Sequence, residues 1–250
     1  QPDLLISGAG AIALLLSSPQ GWLRSDLARG LTVLESEGHW TSWSASFSDL
    51  DNDGRVDVHA AFDDALPNPD LLPDGLSAPV VGNDGVWLQD DAGNFRSAIA
   101  EYGIGISAPG RAAATVDVNG DGWLDILVRQ WMGPVAVLVA RCGESTWLEV
   151  DLEGLPGNTS GLGARVTLRA AGLDDQTRWV STGPGYRSNQ TPTLHFGTAD
   201  LDRIDSLTVR WPGGASSVLT GTLTRQRITV RHPDLDEERG ARSDVPGSSP

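Results

Sequence analysis

Two nine-residue phrases decide how this chain is read: DLDNDGRVD at residues 49–57 and DVNGDGWLD at residues 117–125. Seven of these eighteen positions are Asp, and carboxylates crowded this closely repel one another unless a cation sits among them. Calcium is a hard cation that collects about six to eight oxygens at roughly 2.4 Å, from carboxylates, backbone carbonyls and water. Alternate positions of a tight loop can aim their oxygens at one centre. In the first phrase the expected ligands are the side chains of Asp49, Asp51, Asp53 and Asp57 and the backbone carbonyl of Arg55. In the second they are Asp117, Asn119, Asp121 and Asp125 with the carbonyl of Trp123. Gly54 and Gly122 fall where a Cβ would hinder the sharp turn. Asn119 keeps an oxygen but loses a charge, so the second site is expected to be the weaker.

An EF-hand begins with the same Asp pattern but needs a bidentate Glu at position twelve. Ala60 and Val128 stand there instead, and the last carboxylate comes at position nine in both loops. The remaining alternative is a pair of ordinary Asp/Asn/Gly turns, against which the repetition of one pattern weighs.

Composition narrows the function. The formal charge of −15 disfavours attraction to nucleic acid or an anionic membrane. All eighteen basic residues are Arg, which removes lysine Schiff-base chemistry and the phosphate-loop lysine. Cys142 is alone, so neither a disulfide framework nor a Cys-rich zinc site is expected. The longest apolar run, GAGAIALLL at residues 8–16, is too short to span a bilayer as a helix. Thirty Gly and fifteen Pro spread among short apolar runs read as an all-β chain.

The phrase QPDLLIS at residues 1–7 aligns with RVDVHAA and WLDILVR, so Asp3, Asp57 and Asp125 recur at intervals suited to four-stranded propeller blades. A closed propeller needs roughly four to eight blades, so the blades over residues 1–145 are expected to be incomplete and to belong with missing blades of a longer chain. From about Thr146 the rhythm becomes period-two alternation, in TWLEVDL, RVTLR, RWVS, TLHFG, SLTVRW and RITVR. In the first of these Leu148, Val150 and Leu152 should face a core and Trp147, Glu149 and Asp151 should face out. Such strands over residues 146–231 predict a small sandwich or barrel. Residues 232–250 have almost no apolar content and are expected to be a disordered tail.

FSDLDNDGRVDVHAAF and ATVDVNGDGWLDILVR, with strand-and-turn text such as VWLQDDAGNF, resemble the FG-GAP or VCBS repeats of integrin-α-type β-propellers. WLEVDLEGLPGNTSGLGARVTL, GPGYRSNQTPTLHFG and DSLTVRWPGG, in that order, are similar to the ASPIC/UnbV domain. That domain follows such repeats in the cartilage acidic protein family and in bacterial proteins linked to enediyne clusters. Thr146 stands where the family pattern leads one to expect Asn. The resemblance implies a calcium-binding, secreted, cell-surface or periplasmic module that binds an unidentified protein or carbohydrate. It transfers no catalytic residues.

The competing reading is an enzyme, or an accessory to a biosynthetic pathway, using the propeller as scaffold. Two close carboxylates in an exposed site, such as Asp63 and Asp64, would be needed for it, and no HExxH or GxSxG is present. GLGAR at residues 161–165 lacks the third glycine of a dinucleotide fingerprint. GPGYRSNQ at residues 183–190 reads as a turn with Arg187 on local carbonyls or, less simply, as a recognition loop. Among the nine Trp, those at 40, 43, 87 and 131 lie in or beside propeller turns and are the candidates for ligand contact, with core packing the default. His195 alternates with Leu194 and Phe196 and reads either as open to contact or, as a lone His more often is, as structural.

Overall fold

The computed structural model describes residues 2–8, 11–31, 40–64, 84–102, 109–131, 133–141, 143–183, 185 and 187–235. Over these the chain is nearly all β, arranged as five small sheets, none of which closes on itself. It separates into two compact units. The first comprises Gln1–Asp51, Arg55–Cys142 and Gly183–Gln190, and the second comprises Asn52–Gly54, Gly143–Thr182 and Thr191–Pro250. The tip of the first Asp-rich loop therefore clusters with the second unit, and the GPGYRSNQ segment with the first.

Three antiparallel meanders build the first unit. They are β1 (Leu4–Gly8), β2 (Ala11–Ser18) and β3 (Gly21–Arg24); β4 (Trp40–Ser48), β5 (Asp57–Asp64), β6 (Gly85–Gln89) and β7 (Phe95–Ser97); and β8 (Gly110–Val116), β9 (Asp125–Gln130) and β10 (Val135–Leu138). Helix among the described residues is limited to a 3-10 turn, Leu27–Arg29, the short α1 (Ile99–Tyr102) and residues 233–235, and none is long and apolar enough to cross a membrane. The second meander has the four-stranded order β4-β5-β6-β7 of a propeller blade.

Period two explains how the three sheets stack. On β5, Val58, Ala60 and Phe62 pack with Ile12 and Leu14 of the first meander, whereas Ala61 points the other way, to Ile126 and Val128 of the third. On β6, Trp87 joins the former cluster and Val86 and Leu88 the latter. The central sheet is thus packed on both faces, with small and polar residues such as Ser44, Ser46 and His59 buried among the apolar ones. Burying the Val, Leu, Ile and Phe side chains among these contributes roughly 1.5–3 kcal/mol each.

The second unit is two sheets around one core. β11 (Trp147–Glu153) runs antiparallel to β14 (Leu194–Gly197) and parallel to β17 (Gln226–Arg231). The other sheet has the order β13-β12-β15-β16, with β12 (Arg165–Arg169), β13 (Gln176–Trp179), β15 (Ser206–Arg210) and β16 (Ser216–Thr220). Leu148, Val150, Leu152 and Phe196 from the first face Val166, Leu168, Leu207 and Val209 from the second, a sandwich rather than a barrel.

The alternation in TWLEVDL holds for its apolar members, but Glu149 is also buried. Parallel β17 lies along its outer side and brings Arg227 to 4.0 Å from the Glu149 carboxylate. Arg227 also grips Asp151 with two hydrogen bonds, at 2.6 and 3.1 Å. Thr146 is buried, its Oγ1 2.6 Å from the Thr198 hydroxyl and donating to the Leu201 carbonyl at 2.7 Å.

Beyond Arg231, His232 packs edge-on against Trp211 with ring centroids 5.0 Å apart, and its N–H donates to Glu153 O at 2.8 Å. Contacts therefore continue past the point where composition placed the start of a tail, and residues 236–250 lie outside those described.

Candidate metal centre

Each Asp-rich loop joins two antiparallel strands, β4 to β5 in the first case and β8 to β9 in the second. Both loops enter the left-handed region at their fourth and sixth positions: Asn52 (φ 60°) and Gly54 (φ 93°), Gly120 (φ 78°) and Gly122 (φ 83°). Glycine accepts that conformation freely and asparagine is the usual alternative. The glycines at position six are as expected; the requirement at position four was concealed because Asn fills it in one loop and Gly in the other.

The ninth position is a clamp. Asp57 accepts the Leu50 N–H at 2.8 Å on one oxygen and the Gln89 N–H at 2.9 Å on the other. Asp125 accepts the Val118 N–H at 2.9 Å and the Ala140 N–H at 2.8 Å in the same way. Each carboxylate thus closes its own loop and ties it to the end of a neighbouring strand. Both residues are buried.

The loops differ in what they gather. Asp49, Asp51 and Asp57 bring carboxylate oxygens within 4.8 Å of one another, the one such group among the described residues. Burial first, and then the Asp51 charge, pushes the Asp57 carboxyl up to about 8, against the two N–H bonds, with Asp49 adding to the rise. Asp53 falls in the segment that clusters with the second unit and is outside this group. The Arg55 side chain turns to the Gln89 carbonyl at 3.0 Å and the Asp91 carboxylate at 2.7 Å.

In the second loop the oxygens serve the loop's own backbone. Asp117 accepts from Gly120 N at 2.7 Å and from Gly122 N at 2.7 Å, and Asp121 accepts from Trp123 N at 2.9 Å. The Asn119 amide donates to Asp121 at 2.8 Å. No group of three carboxylates forms there among the described residues.

The second unit holds the first loop's tip by a buried contact that sequence reading missed. His195 Nε2 lies 2.6 Å from Asn52 Oδ1, and the Asn52 carbonyl accepts the Ala199 N–H at 2.8 Å. Burial first, and then the Arg178 charge, lowers His195 to about 3, so its ring is neutral and its Nε2–H donates to Asn52. Of the two readings of His195 the structural one matches, since Asn52 and Glu149 cover that face.

Asp63 is buried and paired with Arg111, and the Asp64 side chain lies outside the described residues. Trp87 is core, edge-on to Phe62 at 6.3 Å, and the Trp40 side chain lies outside the described residues. A strand, β12, follows GLGAR, as expected of a turn.

Comparison with known proteins gives the class. Residues 154–237, most of the sandwich, match the family described as ASPIC and UnbV. Residues 109–137, which run from β8 through the second Asp-rich loop into β10, match the FG-GAP repeat. The chain therefore carries an FG-GAP repeat followed by an ASPIC/UnbV domain. Among curated proteins it is similar to cartilage acidic protein 1 of Xenopus tropicalis, with 31% identity over 138 residues, 51% of this chain. That span is 20% of the relative, so the chain covers about a fifth of its length.

Proposed function

We propose that this chain is a calcium-stabilised, non-enzymatic binding module of a propeller-bearing protein that works outside the cytoplasm. The observation that supports this most is the convergence of Asp49, Asp51 and Asp57, with ligand oxygens within 4.8 Å of one another, in a loop whose pattern occurs twice. A divalent cation among them would offset both the burial and the neighbouring charges that raise Asp57. Asp53 and the Arg55 carbonyl complete the proposed set from loop spacing, and water would fill the rest.

Occupancy and folding are then linked, because the ion binds the ordered loop and not the unfolded chain. In the second loop Asn119 brings an oxygen without a charge, so a site formed by Asp117, Asn119, Asp121, Asp125 and the Trp123 carbonyl is the weaker of the two. Extracellular calcium modules bind with dissociation constants of about 10⁻⁴–10⁻³ M, which suits a secreted, cell-surface or periplasmic setting. The FG-GAP match supports contact with a partner across propeller loops.

Thermal melts in calcium and in chelator test the proposal. The wild-type midpoint should rise with calcium, Asp51→Ala should remove most of that rise and Asp121→Ala less of it. Coincident curves for wild type with and without calcium reject the proposal.

A further inference from the structure

The first unit contains a cavity of about 420 Å³ whose lining includes Trp43, Arg111, Arg129, Gln130, Trp131 and Arg187. Two of these side chains are placed by irregularities in the sheet. The β4–β5 register shifts between Ser42 and Ser44, leaving Trp43 as the extra residue, and the β8–β9 register shifts between Gly110 and Ala112, leaving Arg111. Bulges of this kind re-aim a side chain and recur beside functional sites.

The Arg111 guanidinium lies 4.2 Å from the Trp43 ring centroid and 4.8 Å from that of Trp131, and it pairs with Asp63. Both members of that pair are largely shielded from solvent, so Arg111 is held stiffly between the two rings. Arg129 donates to the carbonyls of Gln130 and Gly133, and no carboxylate pairs with it among the described residues. Arg187 comes from the GPGYRSNQ segment, which clusters with this unit, and has a left-handed backbone (φ 53°) that a non-glycine residue adopts rarely. The lining thus gathers three guanidiniums, one of them paired with Asp63, on a chain of net charge −15.

We propose that this cavity binds an acidic sugar unit, one bearing a carboxylate or a sulfate. Guanidiniums supply the paired donors that such anions accept. Trp131 is 47% exposed, which leaves indole surface for the C–H face of a sugar ring. The volume is at the small end of the range for ligand pockets, the size of one or two sugar units. This rests on the reading of the chain as a binding module and names its ligand class, but it does not involve the ion.

The test is titration with D-glucuronate and glucose 6-sulfate, against glucose and inorganic sulfate, read by ligand-observed NMR in calcium and again in chelator. At least one acidic sugar should bind with Kd of about 1 mM or tighter, at least tenfold better than glucose or free sulfate. Arg129→Gln and Trp131→Ala, both expected to melt close to wild type, should each weaken it at least tenfold. No binding of either acidic sugar, equal binding of glucose, equal binding of free sulfate, or binding unchanged in both variants would overturn the inference. Sugar binding in a protein whose melt ignores calcium leaves this inference standing and rejects the ion; a calcium-dependent melt without sugar binding does the reverse.

Discussion

Replacing Asn52 separates two contributions to the first loop. Its side chain accepts a buried hydrogen bond of 2.6 Å from His195, and its backbone sits at φ 60°. Asn52→Ala removes the acceptor and leaves a buried ring N–H without its bond, a cost of about 1–3 kcal/mol. It also places a Cβ without a compensating polar group in the left-handed region, for roughly 1 kcal/mol more. Asn52→Gly loses the same bond but relieves the backbone, so it should recover about 1 kcal/mol relative to Ala. Urea unfolding followed by circular dichroism, in chelator so that no ion contributes, should rank wild type above Gly and Gly above Ala. The total loss for Ala should be roughly 2–4 kcal/mol. Variants within about 0.5 kcal/mol of wild type would refute the hydrogen bond, since that is the range of an ordinary surface change. Equal losses for Gly and Ala would refute the strain.

Further outcomes follow from buried groups. The Asp84 carboxyl is buried, accepts one N–H from Phe62 at 3.1 Å, and is pushed up to about 7 by burial against that bond. Because the unfolded chain ionises first, stability should fall as pH rises from about 4 and level off above about 7, by at most roughly 4 kcal/mol; Asp84→Asn should flatten that difference in urea midpoints across pH. Phe196→Ala empties the centre of the sandwich and should cost about 3–5 kcal/mol. Arg227→Ala breaks an exposed pair with Asp151 and should cost no more than about 1 kcal/mol; thermal melts of both variants check the contrast.

Local patterns were legible and long-range ones were not. Alternation in TWLEVDL placed Leu148, Val150 and Leu152 in the core because side-chain direction along a strand is a local property. The repeated Asp phrase announced the loops and their sixth-position glycines for the same reason. What failed depended on partners distant in sequence. The clamps by Asp57 and Asp125 end on the N–H groups of Gln89 and Ala140, which no side-chain pattern marks. Glu149 was read as open because nothing local announces that β17 pairs parallel beside it. Trp43, Asp63, Arg111 and Trp131 come from four separated stretches and meet only once two bulges turn their side chains.

The difference between the two loops was half legible. Asn119 led to the expectation of a weaker second site, and the geometry adds that Asp117 and Asp121 accept hydrogen bonds from the loop's own N–H groups. In the first loop Asp49, Asp51 and Asp57 bring carboxylate oxygens within 4.8 Å of one another. That contrast concentrates the account on one site. Calorimetric titration of the decalcified chain with calcium, repeated on Asp51→Ala and Asp121→Ala, tests it directly. The account predicts a stronger site that vanishes in Asp51→Ala and persists in Asp121→Ala. Absence of binding at millimolar calcium, or loss of the stronger site in Asp121→Ala alone, would contradict it.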